Sequence, residues 1–358
     1  MHIPDGYLSP STCAVMYAGA GVGWYAALRR VKRALSARMI PLIAVFAAFA
    51  FLVQMFNLPL PGGTTGHALG VTITAIVLGP AGSILAVSIA IAIQALFFGD
   101  GGITTLGANC FNMAIAGSLV AYGMYRLIGA GATLGSRRRV VAAAVAGYVA
   151  VNVSAFLAAI QFGIQPILFH DAGGAPLYAP YSLRVAIPAM MAGHLLVAGV
   201  AEAFITAGLV AYLQAADPAL LRGAYGPGAD SDASIPLTTS SLRRLWSTVA
   251  ILLLVTPLGV LAVGTAWGEW SPHDLPGTQA HGELTTSPRT PASLSIPAGL
   301  QRLSTVWTAP IPAYAPVFVR SAFFGYILSA MFGVGCILAV SLAAQMFLRR
   351  SRTTDSPQ

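Results

Sequence analysis

Charge is what this sequence has least of: only 8% of its 358 residues are Asp, Glu, Lys or Arg, about a third of the share in an ordinary soluble domain. Hydrophobic residues make up 56%, and the mean hydropathy is +0.76. So few charges cannot keep the surface of a soluble chain of this length wet, which excludes a cytosolic globular enzyme. The apolar content equally excludes a disordered or fibrous chain. Lysine is nearly missing, with Lys32 alone among 19 basic residues. A net charge of +8 carried by arginine fits topology signals in a membrane protein and not a nucleic-acid partner. Cysteine offers nothing paired: Cys13, Cys110 and Cys336 stand far apart with no CxxC and no disulfide framework. A basic n-region is missing too, because the first Lys or Arg is Arg29, so no signal peptide is expected and Met1 is expected to be the mature terminus. GxxxxGK[ST], HExxH and any recognisable Ser/His/Asp spacing are absent from the chain, which leaves no motif for nucleotide binding or hydrolysis.

What is present is a series of apolar stretches near 11–28, 39–57, 66–79, 81–98, 104–128, 138–162, 185–213, 244–265 and 320–347. The expected fold is all-α, a polytopic helical bundle in the lipid bilayer with about nine membrane segments. The region 66–98 reads either as one kinked helix or as two segments broken at Gly79-Pro80, and charge decides between them. With two segments, the N-terminus lies outside and the C-terminus in the cytoplasm. The inner side then holds Arg29, Arg30, Lys32, Arg33, Arg38, Arg126, Arg137, Arg138, Arg139, Arg222, Arg243, Arg244, Arg349, Arg350 and Arg352. The outer side keeps only Arg184, Arg289, Arg302 and Arg320, the asymmetry that the positive-inside rule demands. A single helix would put Arg137–Arg139 outside. The expected organisation is a seven-segment domain over 1–215, a Gly/Ser/Asp-rich cytoplasmic linker over 216–243, a two-span unit over 244–347 whose outer loop is 266–319, and a tail over 348–358.

Five of the six histidines, His2, His67, His170, His273 and His281, fall on the outer side in this topology, and His194 falls within a span. His2 stands out by its place. A histidine directly after a free amine offers three nitrogens in sequence: the Met1 amine, its own backbone amide and its imidazole Nδ1. Amine and amide close a five-membered chelate ring, amide and Nδ1 a six-membered one, and a deprotonated amide holds the three in one plane. One more imidazole completes a planar four-nitrogen site, which suits Ni(II) or Cu(II) and strains Zn(II). The best fourth donor is His67 in PLPGGTTGHALG, where Gly62, Gly63 and Gly66 supply a tight turn. The same residues also read as an ordinary polar terminus and a helix-capping loop histidine.

Other polar residues are weaker pointers. Asn109 and Asn112, one helical turn apart in GDGGITTLGANCFNM, are expected to face the bundle, either as anchors for a metal loop or simply as packing residues. Glu202 is the one carboxylate well inside a span, eight residues past His194, and is read as a buried structural or coupling group that could pair with His194. His273, Asp274, His281 and Glu283 read as a solvated loop.

MHIPDGYLSP at 1–10, PGGTTGHALG at 61–70 and GDGGITTLGANCFNM at 99–113 closely resemble the NikM/CbiM family, the substrate-binding membrane subunits of nickel/cobalt energy-coupling-factor (ECF) transporters. TPLGVLAVGTAWGEW at 256–270 and FGYILSAMFGVG at 324–335 resemble the two-span companion subunit, so the chain looks like a fused NikMN type. The resemblance implies a metal site at Met1, His2 and His67, with Ni(II) favoured over Co(II) by His-Ile-Pro-Asp-Gly. It also implies a bacterial inner-membrane location, no ATPase of its own, and two partners: a transmembrane coupling subunit and a cytoplasmic ATPase.

Overall fold

In a computed structural model, residues 1–34, 39–60, 64–221, 238–261, 266–270 and 296–354 are described. Expectations that fall on Arg38, Gly62, Gly63, Arg222, His273, Asp274, His281, Glu283 and Arg289, and on most of the 216–243 linker, lie outside the described residues. The described residues are mostly helical. Its helices are α1 (Pro10–Ala34), α2 (Met39–Met55), α3 (Val71–Ile93), α4 (Leu106–Asn109), α5 (Gly117–Gly129), α6 (Arg137–Gly163), α7 (Gln165–Leu168), α8 (Leu183–Gly193), α9 (Gly199–Ala216), α10 (Thr239–Val255), α11 (Ala298–Leu303) and α12 (Ala322–Thr354). Five stretches among the described residues are long and apolar enough to cross a membrane: Val71–Phe98, Arg137–Leu168, Leu183–Ala216, Thr239–Leu261 and Ala322–Met346. Met39–Met55 is a shorter apolar helix.

α2 is apolar all round and buried on every side from Leu42 to Met55, as befits a helix with neighbours on all faces. Peripheral helices turn Val22, Phe204, Leu254 and Met346 outward, where only a lipid phase makes such exposure acceptable. α6 packs between α5 and α9 through a buried series of Ala142, Ala143, Ala146, Ala150, Ala155, Ala158 and Ala159. Small residues let backbones approach where no hydrophobic drive separates helix from lipid. The C-terminal helices close over this core. α10 and α12 both pack on α2, and the Tyr326 hydroxyl donates to the Met55 carbonyl.

Two local departures from the expected segments position the candidate site. The helix expected from residue 66 starts only at Val71, because Leu58–Leu60 and Thr64–Gly66 pair as an antiparallel hairpin, β1 and β2. Gly79 inside α3 has φ 71° and ψ 170°, a conformation only glycine adopts without strain, and Pro80 comes directly after it. Ser83 Oγ then reaches the carbonyl of Val71 at 3.4 Å. In a continuous helix 12 residues would separate those groups by about 18 Å, so the chain turns back at Gly79-Pro80. The expected helix over 104–128 is likewise not uniform: α4 passes through the π turn Cys110–Ala116 into α5. Further π turns occur at Gln94–Phe98 and His194–Ala198. Such turns add a residue to a helix and re-aim the side chains beyond them, and the turn at Gln94–Phe98 leads straight into the loop that carries Asp100.

Candidate metal centre

The first nine residues are threaded into the bundle. Met1, His2, Ile3, Gly6, Tyr7, Leu8 and Ser9 are all buried, with His2 wholly inaccessible. An irregular segment can lie there only if its backbone polar groups find partners, and Ile3, Tyr7 and Ser9 show how they are found. The Ile3 amide donates to Asn109 Oδ1 at 2.8 Å, and Asn109 Nδ2 returns a bond to the Ile3 carbonyl at 3.1 Å. That carbonyl also accepts from the Gly102 amide at 2.9 Å and from the Thr105 hydroxyl. Asp5 accepts from the amides of Ile103 and Thr104, at 3.0 and 2.7 Å, and from the Thr104 hydroxyl. Gln165 receives the Ser9 amide, and Tyr7 donates to the Trp270 carbonyl. The glycines at 101 and 102 are what allow the fit. A Cβ on Gly101 would stand 2.8 Å from Asn109 Nδ2 and 3.4 Å from the His2 Cβ, and one on Gly102 only 2.4 Å from Asp5 N.

This threading carries His2 to His67. The rings stack at 4.9 Å between centroids, and His67 Nε2 lies 3.3 Å from His2 Nδ1. His67 Nδ1 is 3.0 Å from the Ala68 carbonyl, a group that can only accept, so Nδ1 carries the proton and Nε2 presents a bare lone pair toward His2. Burial, and after it the positive charge of His2, holds the His67 imidazole well below its usual pKa, so it stays neutral. His2 Nδ1 is also 2.9 Å from Asp100 Oδ1, and the Met1 ammonium is 2.9 Å from Glu269 Oε1. Burial works to raise the Asp100 carboxyl. The His2 charge and hydrogen bond, His67 and the Tyr314 hydroxyl outweigh it and hold Asp100 well below the carboxylate range. Tyr314 donates to Asp100 Oδ2 at 2.6 Å, and Gln94 Nε2 bridges to both. Tyr314 and Ala313 adopt positive φ of 59° and 51°, a strained conformation for residues with a Cβ, which turns this hydroxyl inward.

The loop bearing His67 is fastened from below. Glu202 Oε2 accepts the amides of Leu69 at 2.8 Å and Gly70 at 3.0 Å, while Gln54 Nε2 donates to the Leu69 carbonyl at 3.1 Å.

The structure therefore brings Met1, His2 and His67 together. Of the two asparagines, Asn109 holds the N-terminal segment itself, whereas Asn112 forms a reciprocal amide pair with Gln161 at 2.8 and 2.9 Å. Glu202 does not pair with His194 but binds the two loop amides. His194 is buried, with Nδ1 2.7 Å from the Met190 carbonyl. His170 stays in an exposed loop. Sequence reasoning missed Asp100, Glu269, Tyr314 and Gln54. For Asp100 the available signal was an acid inside GDGG on the expected outer side. For Glu269 it was an acid between two aromatics in WGEW. Among the described residues no group of three or more His, Cys, Asp or Glu side chains has metal-holding geometry, so side chains alone do not make a shell here.

The sequence profile of the CbiM family, described as the cobalt uptake substrate-specific transmembrane region, matches residues 2–220. The chain belongs to the CbiM family. It is 50% identical over 342 residues, 95% of each chain, to the fused nickel transport protein NikMN of Rhodobacter capsulatus. To the probable fused nickel transport protein LarMN of Lactiplantibacillus plantarum it is 40% identical, over 80% of this chain and 83% of that one. The cobalt transport protein CbiM of Geobacter sulfurreducens is 31% identical over 72% of each chain. A crystal structure of a truncated transition metal transporter superposes with a TM-score of 0.56 at 50% identity, over 60% of this chain and 98% of that one. As a CbiM-family member the chain is a component of nickel or cobalt transport and not an enzyme, and its apolar helices are those of a multi-pass membrane protein.

Proposed function

We propose that this chain captures Ni(II) through the Met1 amine, the His2 amide and Nδ1, and His67 Nε2, as the substrate-specific membrane subunit of an ATP-driven ECF-type importer. The observation that carries the reading is the burial of His2 Nδ1 at 3.3 Å from a bare His67 Nε2, next to an amine and an amide of the same short segment. Two imidazoles alone do not hold a divalent ion tightly; with the amine and amide they make a planar nitrogen set that favours Ni(II) over Zn(II). Glu269 and Asp100 now occupy the amine and His2 Nδ1. An arriving ion displaces both, and the two carboxylates, left beside the site, offset the charge of the cation.

The proposal extends to nine membrane segments with the N-terminus outside and the C-terminus in the cytoplasm. The domains are a capture domain over 1–215, a linker over 216–243, a companion-like unit over 244–347 and a tail over 348–358. The companion-like unit supplies Glu269 and Tyr314, which supports a role for it in loading. A transmembrane coupling subunit and a cytoplasmic ATPase are the partners, since the chain has no nucleotide-binding motif. Co(II) is the second reading, favoured by the family description and by the cobalt relative of Geobacter.

Purified full-length protein tagged at the C-terminus tests this. Loaded with Ni(II), it is expected to hold one ion with the visible band of a low-spin planar complex. A six-coordinate Ni(II) spectrum, or tighter binding of Co(II) in competition, overturns the nickel reading. Binding is also expected to weaken in acid, by about one decade per pH unit for each proton displaced. His67, which burial holds well below its usual pKa, contributes no such step. A pH-independent affinity between pH 5 and pH 8, on the order of a physiological span, would show that the amine, amide and His2 nitrogens are not donors.

A further inference from the structure

We infer that Glu202, deep in α9, is the positioning residue for the metal donor His67; this rests on the reading of His67 as a ligand. Three observations converge on it. Glu202 is fully buried, and one of its oxygens takes both the Leu69 and the Gly70 amide. Those amides stand immediately before α3, whose cap residue Gly70 is left-handed at φ 67° and has no side chain to cap with. The missing cap of α3 is thus supplied from α9, 132 residues away in sequence, and a carboxylate at a helix N-terminus answers both the free amides and the dipole. Room for it is made on α6, where a Cβ at Gly147 would press within 3.2 Å of Glu202 Cγ.

The geometry of His67 is a consequence of this grip. Leu69 is held on both sides of its Cα, by Glu202 at its amide and by Gln54 at its carbonyl. Ala68, between Leu69 and His67, offers the carbonyl that fixes the His67 tautomer. With Leu69 and Gly70 immobilised, the one soft link left between the helix start and the imidazole is Ala68. A planar site tolerates little error in its fourth donor, because a first-row ion with a tetragonal preference loses ligand field as that donor leaves the plane. Groups outside the coordination shell that orient ligands commonly affect metal affinity by 10–100-fold. Glu202 therefore acts on the metal through His67 alone, with no contact to the ion.

A double-mutant cycle on the full-length chain tests this, with Cu(II) and Ni(II) as probes, since both take tetragonal nitrogen sets. Glu202→Ala is expected to weaken binding about tenfold or more and to shift the Cu(II) spin-resonance parameters toward those of His67→Ala. Glu202→Gln keeps an acceptor oxygen and the side-chain volume, and is expected to show a smaller loss with the same direction of spectral shift. In the His67→Ala background, where amine, amide and His2 still bind Cu(II), neither Glu202 substitution should change affinity or spectrum further. The inference is overturned if both Glu202 variants bind like the parent, or if their losses persist undiminished once His67 is gone. Should Glu202→Ala fail to fold, the Glu202→Gln arm decides by the same two criteria. If His67→Ala alone leaves the parent spectrum intact, the ligand reading fails first, and that result is separate from the cycle.

Discussion

One residue added before Met1 is expected to abolish planar Ni(II) binding, lowering affinity by at least about a hundredfold, because each donor of a chelate acts at the effective concentration its tether sets. An extension converts the Met1 amine into an amide and moves the free amine one residue outward, so the five-membered ring that joins it to the His2 amide no longer forms. There is no slack to absorb the shift. Met1 is 2% exposed and His2 not at all, and Ile3 is pinned at its amide and its carbonyl by Asn109, Thr105 and Gly102. The amine cannot be brought back without breaking those bonds. His2→Ala is the complementary variant: it keeps the amine and removes the imidazole, and it too should lose the planar band. Calorimetric titration of the parent, the extended chain and His2→Ala, with the visible spectrum recorded at each endpoint, separates the outcomes. Parent-like binding by the extended chain would mean that the Met1 amine is not a required donor.

Part of this arrangement was legible in the residues. Low charge and long apolar stretches gave a helical membrane protein, because lipid admits few alternatives. MHIPDG carried its chemistry in the order of its atoms, and chelate rings are local, so no fold was needed to see them. His67 could be singled out as a histidine in a Gly-rich turn. Its loop is nevertheless a β-hairpin and not the start of a helix, since the extended pairing Leu58↔Gly66 satisfies backbone groups that a turn of helix would leave for later residues. What could not be read was everything fixed by long-range packing. Glu202 looked like a mate for His194 because helix spacing was the only distance in view, while the amides it binds lie in the loop that leads into α3. Asp100 and Glu269 are brought to His2 and Met1 by segments 98 and 268 residues away, and Tyr314 to Asp100 by one 214 residues away, and no local pattern encodes such meetings. The strained backbone at Ala313 and Tyr314 is of the same kind, held by contacts distant in sequence: Asp100 at the Tyr314 hydroxyl and Phe98 stacked on its ring.

Gly102→Ala is expected to cost nearly as much as losing a ligand, without touching one. A Cβ there would stand 2.4 Å from Asp5 N and from Asp5 Oδ1, and 2.6 Å from its Cγ, far inside van der Waals contact. Neither side can give way cheaply. Asp5 is held by the Ile103 and Thr104 amides, and the Gly102 amide itself bonds the Ile3 carbonyl. The overpacking, about 3 kcal/mol, falls on the contact between the N-terminal segment and the Gly101–Gly102 turn, away from Ser9, which caps α1 through the Thr12 amide. If docking is what aligns His2 with His67, the competent fraction drops and the apparent dissociation constant rises by the same factor, roughly a hundredfold. Gly123→Ala is the matched control, since nothing lies within 4 Å of a Cβ added there and alanine favours helix. The expected pair of results is parent-like Ni(II) affinity for Gly123→Ala and near loss for Gly102→Ala, with both thermal unfolding curves of the metal-free protein close to the parent. Loss of overall stability in Gly102→Ala in proportion to its loss of metal would show instead that the N-terminal segment is a strut of the bundle, and that capture does not depend on a separately docked plug.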